Sequence, residues 1–165
     1  MIIFVTVGTH EQPFNRLLKA IDNFAENNRY DRNQVIVQKG FSKYLLKHVT
    51  SKEMFSADQM NSFYHQADLI ISHGGPGSMF PAWLLGKPVI AVPRQKQFNE
   101  HVDDHQVEFC DFIEVKGKVI CVKDIDKLPI AIETIMLHSK RADHQSKTSV
   151  FMQKFEKELF LMNKK

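Results

Sequence analysis

Apolar and polar positions alternate in two rhythms along this chain. Short apolar runs end abruptly at glycine, proline or polar residues, and longer stretches repeat at three- and four-residue spacing. Residues 2–7, β-branched and apolar, stop at Gly8 and predict a first, central strand. Phe14, Leu17, Leu18, Ile21 and Phe24 share one helical face, so 13–27 predicts a helix, with Pro13 suited to its first turn. Residues 34–38 predict a second strand, closed by Gly40. Segment 41–55 is ambiguous, with a short strand expected near 45–49. Ser56 is placed to cap a helix reaching about Gln66. A strand follows at 69–72, a helix at 78–85 and a strand at 87–92. A helix is expected at 99–109, short strands at 112–115 and 119–122 around Gly117, and a helix at 124–138. Segment 142–163 predicts a carboxyl-terminal amphipathic helix, with Phe151, Phe155, Leu159 and Met162 on one face and lysines between them.

Strands alternating with helices predict an α/β fold: a Rossmann-like parallel sheet with helices on both faces. There is no internal repeat and no clear linker, so residues 1–165 are expected to form a single nucleotide-binding domain. In such sheets ligands bind beyond the carboxyl ends of the strands. That places the candidate site on three loops, at 8–10, 73–78 and 93–100.

Composition narrows the classes. A hydrophobic content of 43% and a charged content of 25% are ordinary for a globular protein. A net charge of +3 is too small to argue for nucleic acid, and no nucleic-acid partner is expected. Two cysteines make no disulfide framework and fit a reduced, cytoplasmic setting. The first residues lack the basic region of a signal peptide, and no apolar run reaches the roughly 18 residues of a membrane span.

The strongest chemical signal is ADLIISHGGPGS at 67–78. A buried strand there ends at His73 and breaks into Gly74, Gly75, Pro76 and Gly77 before a helix. Ser78 stands where a helix cap or a phosphate-contacting hydroxyl would sit. A plain strand–helix connection needs one glycine rather than three. The arrangement offers free N–H groups and a positive dipole end to an anion, typically a phosphate. The dinucleotide pattern GxGxxG does not fit, because position 80 is Phe.

The other two loops are weaker singly. Gly8 permits a tight turn, Thr9 can donate a hydroxyl to a phosphate, and His10 can act as a base or pair with an anion; a capped helix with a surface histidine fits equally well. The segment from Val92 to Gln106 opens with Arg94, a natural phosphate partner. It then carries Glu100, Asp103, Asp104 and Gln106, good partners for sugar hydroxyls or simply a solvated face. His101 and His105, four apart, could join His73 or Asp104 around zinc, but the HExxH pattern is missing and no metal is expected. No cofactor is expected either.

As a set, FVTVGTHEQPF at 4–14, ADLIISHGGPGS at 67–78, GKPVIAVPR at 86–94 and NEHVDDHQ at 99–106 resemble the carboxyl-terminal domain of family 28 glycosyltransferases. The likeness is nearest to small, single-domain catalytic subunits of two-part UDP-sugar transferases of the bacterial exopolysaccharide and capsule type, and covers most of residues 1–110. It implies one half of a GT-B fold, with a separate membrane-anchored chain supplying the acceptor half. It implies a UDP-sugar donor and a polyprenyl-diphosphate-linked sugar acceptor, and hence a place at the inner face of the membrane through that partner. The diphosphate would lie near Gly75 to Ser78 and Thr9. Gln106, with Asp103 or His105, would lie near the donor sugar or ribose. His10 is the expected base within this chain. One position departs from the family: where longer relatives carry a ribose-binding Glu, this chain has Pro81. Glu100 or Asp104 are then the substitutes. That departure also keeps open a non-catalytic, nucleotide-sugar-binding or activating subunit. An epimerase of the same architecture would need a longer chain.

Overall fold

The computed structural model describes residues 1–142. Contacts divide the chain into a compact unit, Met1–Ala131, and a second from Ile132 on. The predicted helix at 142–163 lies outside the described residues from position 143.

Six parallel strands form one sheet. They are β1 (Ile3–Thr6), β2 (Val35–Gln38), β3 (Thr50–Lys52), β4 (Leu69–Ser72), β5 (Val89–Ala91) and β6 (Ile120–Cys121), in spatial order β3-β2-β1-β4-β5-β6. The connecting helices are α1 (Asn15–Asn27), α2 (Ala57–Gln66), α3 (Pro76–Leu84) and α4 (His105–Val115), with α5 (Leu128–Ala142) after β6. β1, β2 and β4 are buried at every position. Successive strand side chains point to opposite faces, so such runs need cover on both sides. Phe4, Ile70 and Val89 share one core cluster with Tyr64 of α2, Met79 of α3 and Cys110 and Ile113 of α4. This is the doubly wound strand order, and its direction of winding reverses between β1 and β4.

Several boundaries differ from the sequence expectation, and three of them have a clear physical reason. The third strand is Thr50–Lys52, not 45–49. Val49 is buried, but Leu45 stays 76% exposed. The buried Asp22 carboxylate turns the chain there by accepting the Lys47 and His48 N–H groups at 2.9 and 2.8 Å. A polar edge strand is a common way to keep an edge from pairing elsewhere. The helix expected at 99–109 starts only at His105 and runs through 112–115, which is therefore not a strand. Asn99, left-handed at φ 55°, ends the short 3₁₀ turn Lys96–Phe98. Asp104 Oδ1 accepts the Lys96 N–H and Asp103 Oδ1 that of His105. Aspartates that bond nearby main chain favour turns over helix interior. Finally, α3 opens at Pro76, so Gly75 is its cap and Ser78 lies inside its first turn.

Candidate functional site

The apolar strands at the centre of the sheet each end in a polar residue, and the register brings these together: Thr6 pairs with Gln38 on one side and Ser72 on the other. All three are buried. Gln38 Nε2 donates to Thr6 Oγ1 at 3.4 Å, and its Oε1 accepts the Phe55 N–H at 3.0 Å. Above the Thr6–Gln38 edge opens a cavity of about 520 Å³, at the winding reversal. That size is typical of small-ligand pockets. Gly8 and Thr9 form one wall, and His73, Gly75, Gly77 and Ser78 another. Met60, Asn61 and Tyr64 of α2 and Pro81 of α3 line its far end.

The glycines of this site have different reasons to be glycine. A Cβ on Gly8 would stand 2.5 Å from His73 Cε1, and one on Gly75 would stand 2.3 Å from His73 Nε2. The imidazole is thus held between two bare backbones. Gly74, at φ +86°, would meet Cys110 Sγ at 2.6 Å. Gly77 has none of these constraints: no heavy atom lies within 4 Å of its Cβ position, and the residue lines the cavity.

The first turn of α3 presents main-chain N–H groups that no earlier helical carbonyl can accept. Pro76 has none to offer, and the Ser78 N–H is taken by Gly75 O at 3.1 Å. Ser78 Oγ donates to Gly75 O at 2.9 Å and lies 2.6 Å from Ser72 Oγ and 3.4 Å from His73 Nδ1. Tyr64 Oη donates to Ser78 O at 2.7 Å, which ties α2 to this turn. Burial, with the nearby Arg94 charge, pushes the His73 imidazole down to about 4, so it is neutral at physiological pH. The cavity therefore offers neutral donors and a helix dipole to an anion.

Not all of the predicted residues reach this cavity. Gly8, Thr9, His73, Gly75, Gly77 and Ser78 line it; Gly74 packs behind it against Cys110 and Pro93. Arg94 does not stand ready for phosphate. It is fully buried, and its guanidinium donates to Gln12 O at 2.7 Å, Glu100 O at 3.1 Å and Val7 O at 2.8 Å. Its Cζ lies 4.9 Å from the centre of the Phe14 ring. Burial lowers it to about 10, which leaves it cationic at neutral pH. Glu100 is likewise engaged, pairing with Arg16 at 2.9 Å and accepting the Gln95 N–H at 3.1 Å, so it is not free for a ribose. Gln106 Oε1 accepts the Arg94 N–H, and Asp104 is spent on Lys96. These bonds clamp the loop after β5 onto the loop after β1.

His10 Nδ1 accepts the Gln12 N–H at 3.2 Å. The neutral ring therefore carries its proton on Nε2, the nitrogen left open, which is the wrong arrangement for a base. Burial, then His101 and Arg94, lower its pKa. His101 lies in the loop before α4, not on a helical face with His105. Its ring centre is 4.7 Å from that of His10. Although burial works against it, the His105 N–H and the His105 and His101 rings hold the Asp103 carboxyl below its usual range. His105 is exposed and its pKa is raised by Glu108 and Asp103. Among the described residues, the grouping with metal-ligand spacing is Asp111, Glu114 and Cys121. Its carboxylates already serve Lys123 and the Cys121 N–H, and none of the three lines the cavity.

Sequence reasoning missed Thr6, Gln38 and the wall from α2. The first two carried a signal: each is the polar end of an apolar strand. Met60, Asn61 and Tyr64 carried no such signal, because their place beside the cavity depends on how α2 crosses the sheet.

Known proteins of similar sequence and fold bear on the family and the fold. The glycosyltransferase family 28 C-terminal domain matches residues 2–159. Over 80 residues, 46% of this chain and 20% of the relative, the sequence is 40% identical to the UDP-N-acetylglucosamine--N-acetylmuramyl-(pentapeptide) pyrophosphoryl-undecaprenol N-acetylglucosamine transferase of Bacteroides fragilis. Over 124 residues, 70% of this chain and 10% of the relative, it is 31% identical to the UDP-N-acetylglucosamine transferase subunit ALG13 of Homo sapiens. The chain thus spans a fifth or less of the length of these relatives. Among solved structures, the kitacinnamycin glycosyltransferase superposes with a TM-score of 0.59 at 16% identity, covering 81% of this chain and 34% of that one. MurG of Acinetobacter baumannii superposes with a TM-score of 0.55 at 17% identity, covering 82% and 42%. These structural likenesses bear on the fold: one Rossmann-like half of a GT-B glycosyltransferase.

Proposed function

The chain belongs to the glycosyltransferase family 28 C-terminal domains, and from that premise we propose that it binds the donor of an inverting UDP-sugar transferase and carries the catalytic half of its site. The observation that carries this reading is the cavity at the β1–β4 reversal, with the first turn of α3 opening into it. The diphosphate of the donor lies against that turn and Thr9. Uridine and ribose lie toward Met60, Asn61 and Pro81. With Glu100 and Asp104 engaged elsewhere, Gln38 bonded to Thr6 and Phe55, and Pro81 carrying no carboxylate, Asn61 is the polar side chain at that end left to meet the nucleoside. Direct displacement at the anomeric carbon puts negative charge on the departing diphosphate. The α3 amides and dipole stabilise that charge as it develops.

The acceptor in this reading is a polyprenyl-diphosphate-linked sugar, in exopolysaccharide or capsule synthesis. The Bacteroides fragilis relative is named for a pyrophosphoryl-undecaprenol acceptor, and the human relative is named as a subunit. In this reading the site closes between two halves, and this chain is the donor half. A membrane-anchored partner supplies the other half and holds this chain at the inner face of the membrane.

Calorimetric titration of the purified chain tests the reading. UDP should bind and ADP should bind at least tenfold more weakly. Titrating UDP-glucose, UDP-galactose, UDP-N-acetylglucosamine and UDP-glucuronate then identifies the sugar. Absence of any UDP binding would overturn the donor assignment.

A further inference from the structure

Two histidines meet at the carboxyl edge of the sheet with their protons on opposite nitrogens. The rings of His10 and His101 are 4.7 Å apart, tilted by 42°. His10 keeps its proton on Nε2, as its bond from Gln12 requires. In His101 the order is reversed. Its Nδ1 stands 2.9 Å from Asp103 Oδ1. A carboxylate only accepts, so Nδ1 must carry the proton and Nε2 keeps its lone pair. The Asp103 main-chain N–H also points at this Nδ1, at 3.4 Å, but the carboxylate oxygen at 2.9 Å is the closer partner and sets the tautomer. Asp103 is itself pinned by the His105 N–H at 3.1 Å. Among the described residues, nothing takes up His101 Nε2. A carboxylate-oriented imidazole with one free nitrogen is the arrangement a general base needs. The pair adjoins the cavity: His10 follows Gly8 and Thr9 of its wall, and both rings act electrostatically on His73 within it.

We infer that His101, oriented by Asp103, is the base that takes the proton of the acceptor hydroxyl. The inference rests on the UDP-sugar reading above. In the step, the acceptor oxygen bonds to the anomeric carbon of the donor. The bond from that carbon to the diphosphate oxygen breaks, and its electron pair leaves with UDP. The hydroxyl proton passes to His101 Nε2. His101 is then the catalytic residue and Asp103 the positioning residue.

Two measurements test this on the full chain. The first is long-range proton–nitrogen NMR of the labelled protein at neutral pH. It should show His101 protonated at Nδ1, and Asp103→Ala should shift it toward the Nε2-protonated form that free imidazole side chains prefer. The second is transfer from the labelled UDP-sugar that binds best, among the four named above, to source-organism membranes supplying acceptor and partner. His101→Gln should lower kcat about 10²- to 10⁴-fold, with UDP affinity changed less than about threefold. Asp103→Ala should lower kcat without raising the donor KM, and Asp103→Glu should recover part of the loss. A wild-type His101 protonated at Nε2, or a His101→Gln protein with undiminished kcat, overturns the inference. Failure of the wild-type chain to bind UDP overturns the donor reading instead, and the tautomer remains readable by NMR.

Discussion

At the scale of single residues, the site is organised around one neutral ring and the glycines beside it. Gly75 has an ordinary backbone conformation, so its reason for lacking a side chain is steric: the His73 ring occupies the Cβ position. Gly75→Ala should therefore destabilise the fold by about 1–3 kcal/mol, the usual cost of overpacking, read as a lower urea midpoint. Gly77→Ala should do the opposite. Its Cβ meets nothing in the protein, and alanine favours a helical turn by up to about 1 kcal/mol over glycine. Stability should hold or rise while UDP affinity falls at least tenfold, because Gly77 lines the cavity in the turn proposed to hold the diphosphate. Unchanged UDP affinity in Gly77→Ala would move the diphosphate away from this turn. The same ring predicts a pH dependence. Burial depresses the folded pKa of His73 to about 4, from 6.5. The unfolded chain then binds the extra proton first, so stability is full above pH 6.5 and falls as pH drops toward 4. The loss amounts to about 3 kcal/mol for a shift of this size. His10, also depressed, works in the same direction, and the exposed His105, raised, works against it. Urea titrations at pH 7, 5.5 and 4.5 should show this slope, and His73→Gln should flatten it.

At the scale of elements, the loop after β5 is where the sequence was hardest to interpret. Helix α1 was legible because burial on one side imposes its 3.6 period, and strands β1, β2 and β4 because burial on both faces makes them continuous apolar runs. Asn99 to Asp104 carries no such period. Its path is set by a left-handed asparagine and by aspartate side chains bonding nearby N–H groups, and these are local geometries that charge patterning does not reveal. Arg94 was legible as important but not in its role. An arginine beyond a strand end suggests phosphate, yet three carbonyls on two loops turn it inward. Only the crossing of those loops, distant in sequence, decides between the two. Arg94→Met should leave Val7, Gln12 and Glu100 carbonyls without partners and cost about 3–5 kcal/mol, as for a broken buried charge. Arg94→Lys should not restore it, because one ammonium cannot reproduce the planar fork. Chemical denaturation of the two variants decides this. An Arg94→Met protein as stable as wild type that has lost UDP binding would return Arg94 to the phosphate.

At the scale of the whole molecule, the chain resembles one half of a larger enzyme, and some of its exposed apolar side chains follow the strand ends beside the cavity. Isolated exposed hydrophobics need no explanation. Here, however, Phe41 and Leu45 follow β2, and Phe98 and Val102 follow β5, on the same carboxyl edge as the cavity, with exposures of 50% or more. In the proposed reading, an acceptor half closing over the donor approaches from that edge, since the cavity opens there. Charging the edge should separate the two binding events. In a Leu45→Asp, Val102→Asp double variant, fold stability should change by no more than about 0.5 kcal/mol, because both side chains are in solvent. UDP affinity should be unchanged, because neither residue lines the cavity. Transfer to membrane acceptor should fall at least tenfold, about 1.4 kcal/mol of lost association or closure. Calorimetry with UDP and transfer from labelled UDP-sugar, on the same preparation, read the two quantities independently. Undiminished transfer would show that the second half closes over some other face, and the loops after β2 and β5 would then serve the donor site alone.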